Sequence, residues 1–145
     1  IYVDPEAAKI VLESGVKITM LPLDVTHKTL VQRDFLEKLR KSGKNSAIEA
    51  AKLLDFFERY DVEKYGSKGG PLHDPNVIVY LLNPTIYSGK LVNVEIEVNS
   101  ELTRGMTVVD WWSVTNRNPN AYYIKDVKCD EFFEIVLNKV LSLEI

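Results

Sequence analysis

Residues 91–98, LVNVEIEV, alternate between apolar and polar from Val92 onward. A strand points successive side chains to opposite faces, so this run reads as a strand with one buried and one wet face. MTVVDWW (106–112), after Gly105, and AYYIKDV (121–127) read as two more strands. Upstream the period is helical. Asp4-Pro5-Glu6 is a helix start, with an acid at the cap and proline in the first turn. Ala7, Ala8, Ile10, Val11 and Leu12 continue that helix, and Gly15 stops it. VKITMLPL (16–23) is a short apolar, β-branched run bounded by Gly15 and Asp24, and reads as a buried strand.

DVTHKTL then opens a helix with Thr26 as its N-cap. Leu30, Phe35, Leu36 and Leu39 form its apolar face, and Gly43 breaks it. A long helix follows from Ser46 to about Tyr65. GSKGGP reads as a flexible loop, and Asp74-Pro75 begins another helix that Asn83-Pro84 closes. A last amphipathic helix covers 130–143. The chain therefore reads as one α/β domain over residues 1–145 with a β-rich carboxy-terminal segment.

Composition narrows the function. At 145 residues, 46% hydrophobic and 27% charged, the chain can bury a sizeable core. A net charge of −3 argues against nucleic acid or an anionic membrane as partner. Its single cysteine, Cys129, excludes an intrachain disulfide and suits a reducing cytoplasm. No apolar run approaches the roughly 20 residues that span a bilayer.

GGPLHDP (69–75) concentrates the chemistry. In one reading Asp74 is an N-cap before a first-turn proline, and His73 is a loop histidine bonded to backbone. In the other, Asp74 is a hard oxygen ligand for calcium, and His73 passes a proton near neutral pH. Gly69-Gly70 would then hinge a mobile flap. Calcium takes about 6–8 oxygens, and no acidic cluster here supplies a full cage. His27 reads as structural. Trp111 and Trp112 could stack a base or sugar, but adjacent strand residues face opposite ways, so at most one faces a given site. Cys129 has no neighbour in sequence to activate it.

VDPEAAKIVLESG, ITMLPLDVTHK, GGPLHDP, VEIEVNSELTRGMTVVD and FFEIVLNKVL occur in that order. Together they resemble the carboxy-terminal half of the inosine–uridine-type nucleoside hydrolases, over essentially the whole chain. The resemblance implies a nucleoside-hydrolase-like, Rossmann-type α/β core with added β-strands. It implies calcium-assisted hydrolysis of the N-glycosidic bond of a small-molecule nucleoside, giving free base and ribose. His73 then matches the histidine beside the leaving base, and Asp74 matches a calcium ligand. Tyr60 and Tyr65 match the mobile helical segment that closes over the base. The ribose-gripping AEFN and the amino-terminal DTDPGxDD aspartates of similar enzymes have no counterpart in these 145 residues, so Ile1 looks like a truncation point. The implied partners are a second copy, as dimer or tetramer, or the missing amino-terminal half. Two alternatives stay open: a fragment or subunit inert without that half, and a nucleoside-binding module without chemistry. Purine and pyrimidine preference is not readable from the residues.

Overall fold

The computed structural model describes residues 1–66 and 69–143, and within 58–65 it describes the helical backbone alone. The side chains of Tyr60 and Tyr65 fall in that stretch and lie outside the described residues. The chain forms two compact units. One comprises residues 1–20 and 89–124, the other 21–88 and 125–145.

The first unit opens with α1 (Pro5–Glu13), capped as its sequence demands: Asp4 accepts a hydrogen bond of 3.0 Å from the Ala7 N–H. β1 (Ile18–Met20) is the centre of the run expected as a strand, and it pairs in parallel with β5 (Ala121–Val127). Ile18 lies opposite Ala121, and Met20 opposite Tyr123. The strand order is β1-β5-β2, with β2 spanning Tyr87–Val92. Gly89 is required here, because a Cβ on it would stand 2.2 Å from the Tyr123 carbonyl oxygen. Leu12, Val92, Val94, Ile96, Ala121 and Tyr123 make the core of this unit.

The alternating run at 91–98 is not one strand. It ends β2 at Val92 and restarts as β3 (Val94–Ile96), which pairs antiparallel with β4 (Thr107–Val109). Side chains break the ladder. Asn120 Oδ1 accepts from the Val94 N–H at 2.8 Å, and buried Asn93 donates through its amide to the Asn118 carbonyl at 3.0 Å. Two asparagines thus take hydrogen bonds that a continuous strand would give its neighbours.

The second unit is mainly helical: α2 (Leu23–Thr26), α3 (Arg33–Lys41), α4 (Asn45–Tyr65), α5 (His73–Leu82), a 3-10 turn at Pro84–Ile86, and α6 (Cys129–Leu141). Phe35, Leu36 and Leu39 of α3 are buried, as their spacing predicts. α4 packs on α3 and α6, and its Ala47 and Ala51 are fully buried. Phe132 of α6 is also fully buried. The helix expected from DVTHKTL to Gly43 is two helices, α2 and α3. Thr26 is the last residue of α2, not an N-cap. The break has a backbone cause, since residues 29–31 pair with 70–72 instead of continuing a helix. The Val31 N–H donates to the Gly70 carbonyl at 2.9 Å, and the Leu72 N–H to the Thr29 carbonyl at 3.1 Å.

Among the described residues, no helix is long and apolar enough to cross a membrane.

Candidate active site

That short pairing sets where α5 begins. Leu30 and Pro71 face each other in an antiparallel bridge. Gly69 is buried beside them, and a Cβ on it would stand 2.2 Å from the Val31 carbonyl oxygen. The hinge expected at Gly69-Gly70 is thus clamped at this end, and Gly69 serves close backbone approach. α5 starts at His73, with Leu72 in the cap position and no side-chain cap. Asp74 is exposed in the first turn, so its expected capping role is not the one it has.

His73 is half-buried. Its Nδ1 lies 2.8 Å from Oγ1 of Thr26, in a hydrogen bond whose direction follows the imidazole tautomer. Thr26 is 2% exposed. His27, the next residue, places its ring centroid 5.4 Å from that of His73, tilted by 48°. The end of α2 and the start of α5 therefore bring Thr26 and His27 against His73.

A buried polar chain lies beneath them. Asn76, fully buried on α5, donates to Thr29 Oγ1 at 2.8 Å and to the Leu72 carbonyl at 2.5 Å. Thr29, also fully buried, donates to the Thr26 carbonyl at 2.9 Å. The Tyr87 hydroxyl donates to Asn76 Oδ1 at 3.0 Å and lies 3.1 Å from the Asn76 carbonyl oxygen. Burial, and secondarily the Cys129 thiol, push the Tyr87 phenol above its ordinary range, so it stays a neutral donor. The sequence reading missed Thr29, Asn76 and Tyr87. The signal was a polar residue in the buried phase of a helix: Asn76 stands one turn before Val79, and both are buried.

The remaining candidates lie elsewhere. β4 ends at Val109, so Trp111 and Trp112 sit in a turn and the opposite-face rule for strands does not apply to them. Trp111 meets Tyr123 edge-on, with ring centroids 6.2 Å apart. Lys90 Nζ lies 4.3 Å from the Trp111 ring centroid and 5.4 Å from that of Trp112. Cys129 donates to the Lys28 carbonyl at 3.3 Å. Burial, followed by the carboxylates of Asp126 and Asp130, pushes its thiol up, which disfavours the reactive thiolate.

Asp74 is a hard oxygen donor of the kind calcium takes. Among the described residues, no three His, Cys, Asp or Glu side chains gather closely enough to hold a metal ion. Asp74 is thus of a type that fits calcium, and the described residues show no cage around it.

The family model described as inosine-uridine preferring nucleoside hydrolase matches residues 1–134. The chain belongs to this family. An uncharacterized protein of Schizosaccharomyces pombe is 44% identical over 140 residues, covering 97% of this chain and 45% of that protein. The pyrimidine-specific ribonucleoside hydrolase RihA of Salmonella newport is 41% identical over 141 residues, with the same two coverages, 97% and 45%. Among solved structures, a purine-preferring ribonucleoside hydrolase from Gardnerella vaginalis superposes with a TM-score of 0.81 at 25% identity, over 94% of this chain and 43% of that one. A plant nucleoside hydrolase shares the fold, with a TM-score of 0.86 at 21% identity over 98% of this chain and 46% of its own. The chain thus spans about half the length of the curated relatives it matches. The nucleoside-hydrolase-like α/β core expected from the motifs is the one found, and both the Salmonella relative and the Gardnerella neighbour are named as ribonucleoside hydrolases.

Proposed function

We propose that this nucleoside hydrolase chain supplies the leaving-base side of a ribonucleoside N-glycosidase, with His73 as proton donor and Asp74 as one calcium ligand. The supporting observation is the placement of an imidazole, held at Nδ1 by a buried threonine, directly before an exposed carboxylate on the first turn of α5. Cleavage of the N-glycosidic bond sends its electron pair to the base nitrogen and leaves an oxocarbenium-like sugar. The step gains from a proton delivered to the base as the bond breaks. In the imidazolium, Nδ1–H donates to Thr26 Oγ1 and the Nε2 proton is the one transferred. The neutral product keeps Nδ1–H against the same hydroxyl, so the ring need not turn between the two states. Calcium, when bound, acidifies its water and anchors sugar hydroxyls. Asp74 would be one of its ligands.

Tyr60 and Tyr65, on the second half of α4, close over the base in this reading. The 145 residues act as the carboxy-terminal part of a single hydrolase domain, functioning in the cytoplasm as a dimer or tetramer or joined to an amino-terminal half. Identity of 41% to a pyrimidine-specific relative, against 25% to a purine-preferring one, favours pyrimidine nucleosides as first substrates. A second reading, in which the 145 residues are inert by themselves, is motivated by the lack of any metal-holding group of three or more His, Cys, Asp or Glu among the described residues.

The test is release of ribose from uridine and inosine by the intact protein. Release is expected with calcium, lost on chelation and restored by adding the ion back. No release from either nucleoside in the presence of calcium would overturn the reading.

A further inference from the structure

We infer that Thr29 and Asn76 are positioning residues for His73, locking its partner Thr26 and the first turn of α5 into one frame. The inference rests on the proposed role of His73 for its functional meaning, but its geometry stands alone. All the residues involved, from Thr26 to Tyr87, lie within one compact unit.

Two bonds converge on the atoms that flank His73. Asn76 Nδ2 donates to the carbonyl of Leu72, the residue immediately before the imidazole. A carbonyl can only accept, which fixes the amide's orientation and turns Oδ1 toward the Tyr87 hydroxyl. The second Nδ2 hydrogen goes to Thr29 Oγ1. Thr29 passes its own proton to the main-chain carbonyl of Thr26, the residue whose side chain holds His73 Nδ1. Both hydrogens and the oxygen of the Asn76 amide have partners, as does the Thr29 hydroxyl. Apolar residues of similar size would fill this space, but they would not set the distance between Thr26 and the start of α5. A fully satisfied buried network selects one arrangement among those that packing alone would allow. Tyr87 ties the far end of the network to the first residue of β2.

The experiment uses Thr29→Val, which removes the hydroxyl at nearly constant shape, Tyr87→Phe, which removes only the bond to Asn76, and Thr29→Ser, which keeps the hydroxyl. The readout is the 15N shifts of the His73 ring in the intact protein, assigned against a His27→Gln variant. Thr29→Val and Tyr87→Phe are expected to move the His73 shifts toward those of a freely exchanging imidazole, and Thr29→Ser to retain them. On a nucleoside substrate, kcat in Thr29→Val should fall roughly 10–100-fold, the scale of losing a positioned group, with KM little changed. If either Thr29→Val or Tyr87→Phe folds and keeps the wild-type His73 shifts, the inference fails. If the shifts move and kcat does not, positioning holds and the proton-donor role of His73 is what fails.

Discussion

Thr26 Oγ1 stands 2.8 Å from His73 Nδ1, although 47 residues separate the two in sequence. The bond joins the last residue of α2 to the first residue of α5, and neither residue is placed by its own helix alone. Thr26→Val removes the hydroxyl and leaves the shape. It should lower kcat on a nucleoside by roughly 10–100-fold, because an imidazole that turns presents its proton in the wrong direction. Steady-state kinetics against Thr26→Ser checks this, with the serine variant expected near wild type. Equal losses in both would assign the effect to packing.

Asp74 is an exposed carboxylate on a first helical turn. Calcium titrated into the 145-residue chain by itself should show no micromolar binding, since calcium takes about 6–8 oxygens and the described residues gather no three His, Cys, Asp or Glu side chains into a metal-holding group. In the intact protein, Asp74→Asn should weaken calcium binding by on the order of tenfold or more, because site affinity follows the number of charged ligands. Calorimetry measures both. Micromolar binding to the isolated chain would mean that other carboxylates complete a cage.

Acid should destabilise the first unit through two half-buried residues, Glu97 and Asp110. The Glu97 carboxyl is held below its ordinary range by the N–H groups of Ser100 and Asn99, and that of Asp110 by the Thr115 hydroxyl and then its N–H. A carboxyl whose pKa is lower in the folded state adds stability that is fully present above its unfolded value. That stability is lost as pH falls through the folded value. Melting temperature should therefore be flat from neutral pH down to about the ordinary carboxyl range near 4 and then fall. Asp110→Asn should show a lower plateau and a shallower fall. A variant as steep as wild type would remove Asp110 from this account.

Most of the fold was legible because it follows short-range rules. Asp4-Pro5 caps α1, the apolar stripe of α3 is buried, and AYYIKDV is β5 to the residue. The failures came where long-range hydrogen bonds override local pattern. Asn93 and Asn120 cut an alternating run into two strands of different sheets, and the 29–31 pairing with 70–72 cut one helix into two. The site divides in the same way. His73 and Asp74 stand out by residue type and motif. Asn76 is marked only by its place in the buried phase of α5, one turn before Val79, whereas Thr26, Thr29 and Tyr87 are ordinary residues until folding brings them together.

Gly89→Ala places a methyl group 2.2 Å from the Tyr123 carbonyl oxygen, and backbone on both sides must shift. Overpacking of this kind costs roughly 1–3 kcal/mol, and the strand pairing is what gives way. Denaturant unfolding of the intact protein should show the loss in midpoint. An unchanged midpoint would mean that β2 has room to move away from β5.

In the proposed reaction His73 gives its proton to the departing base. The most direct measurement compares His73→Ala with wild type on uridine or inosine and on a nitrophenyl riboside, whose leaving group needs no proton. The rate on the nucleosides should fall by roughly 10²–10⁴-fold, the usual worth of a general acid, and the loss on the nitrophenyl riboside should be far smaller. Equal losses on both substrates, or none on either, would contradict the claim.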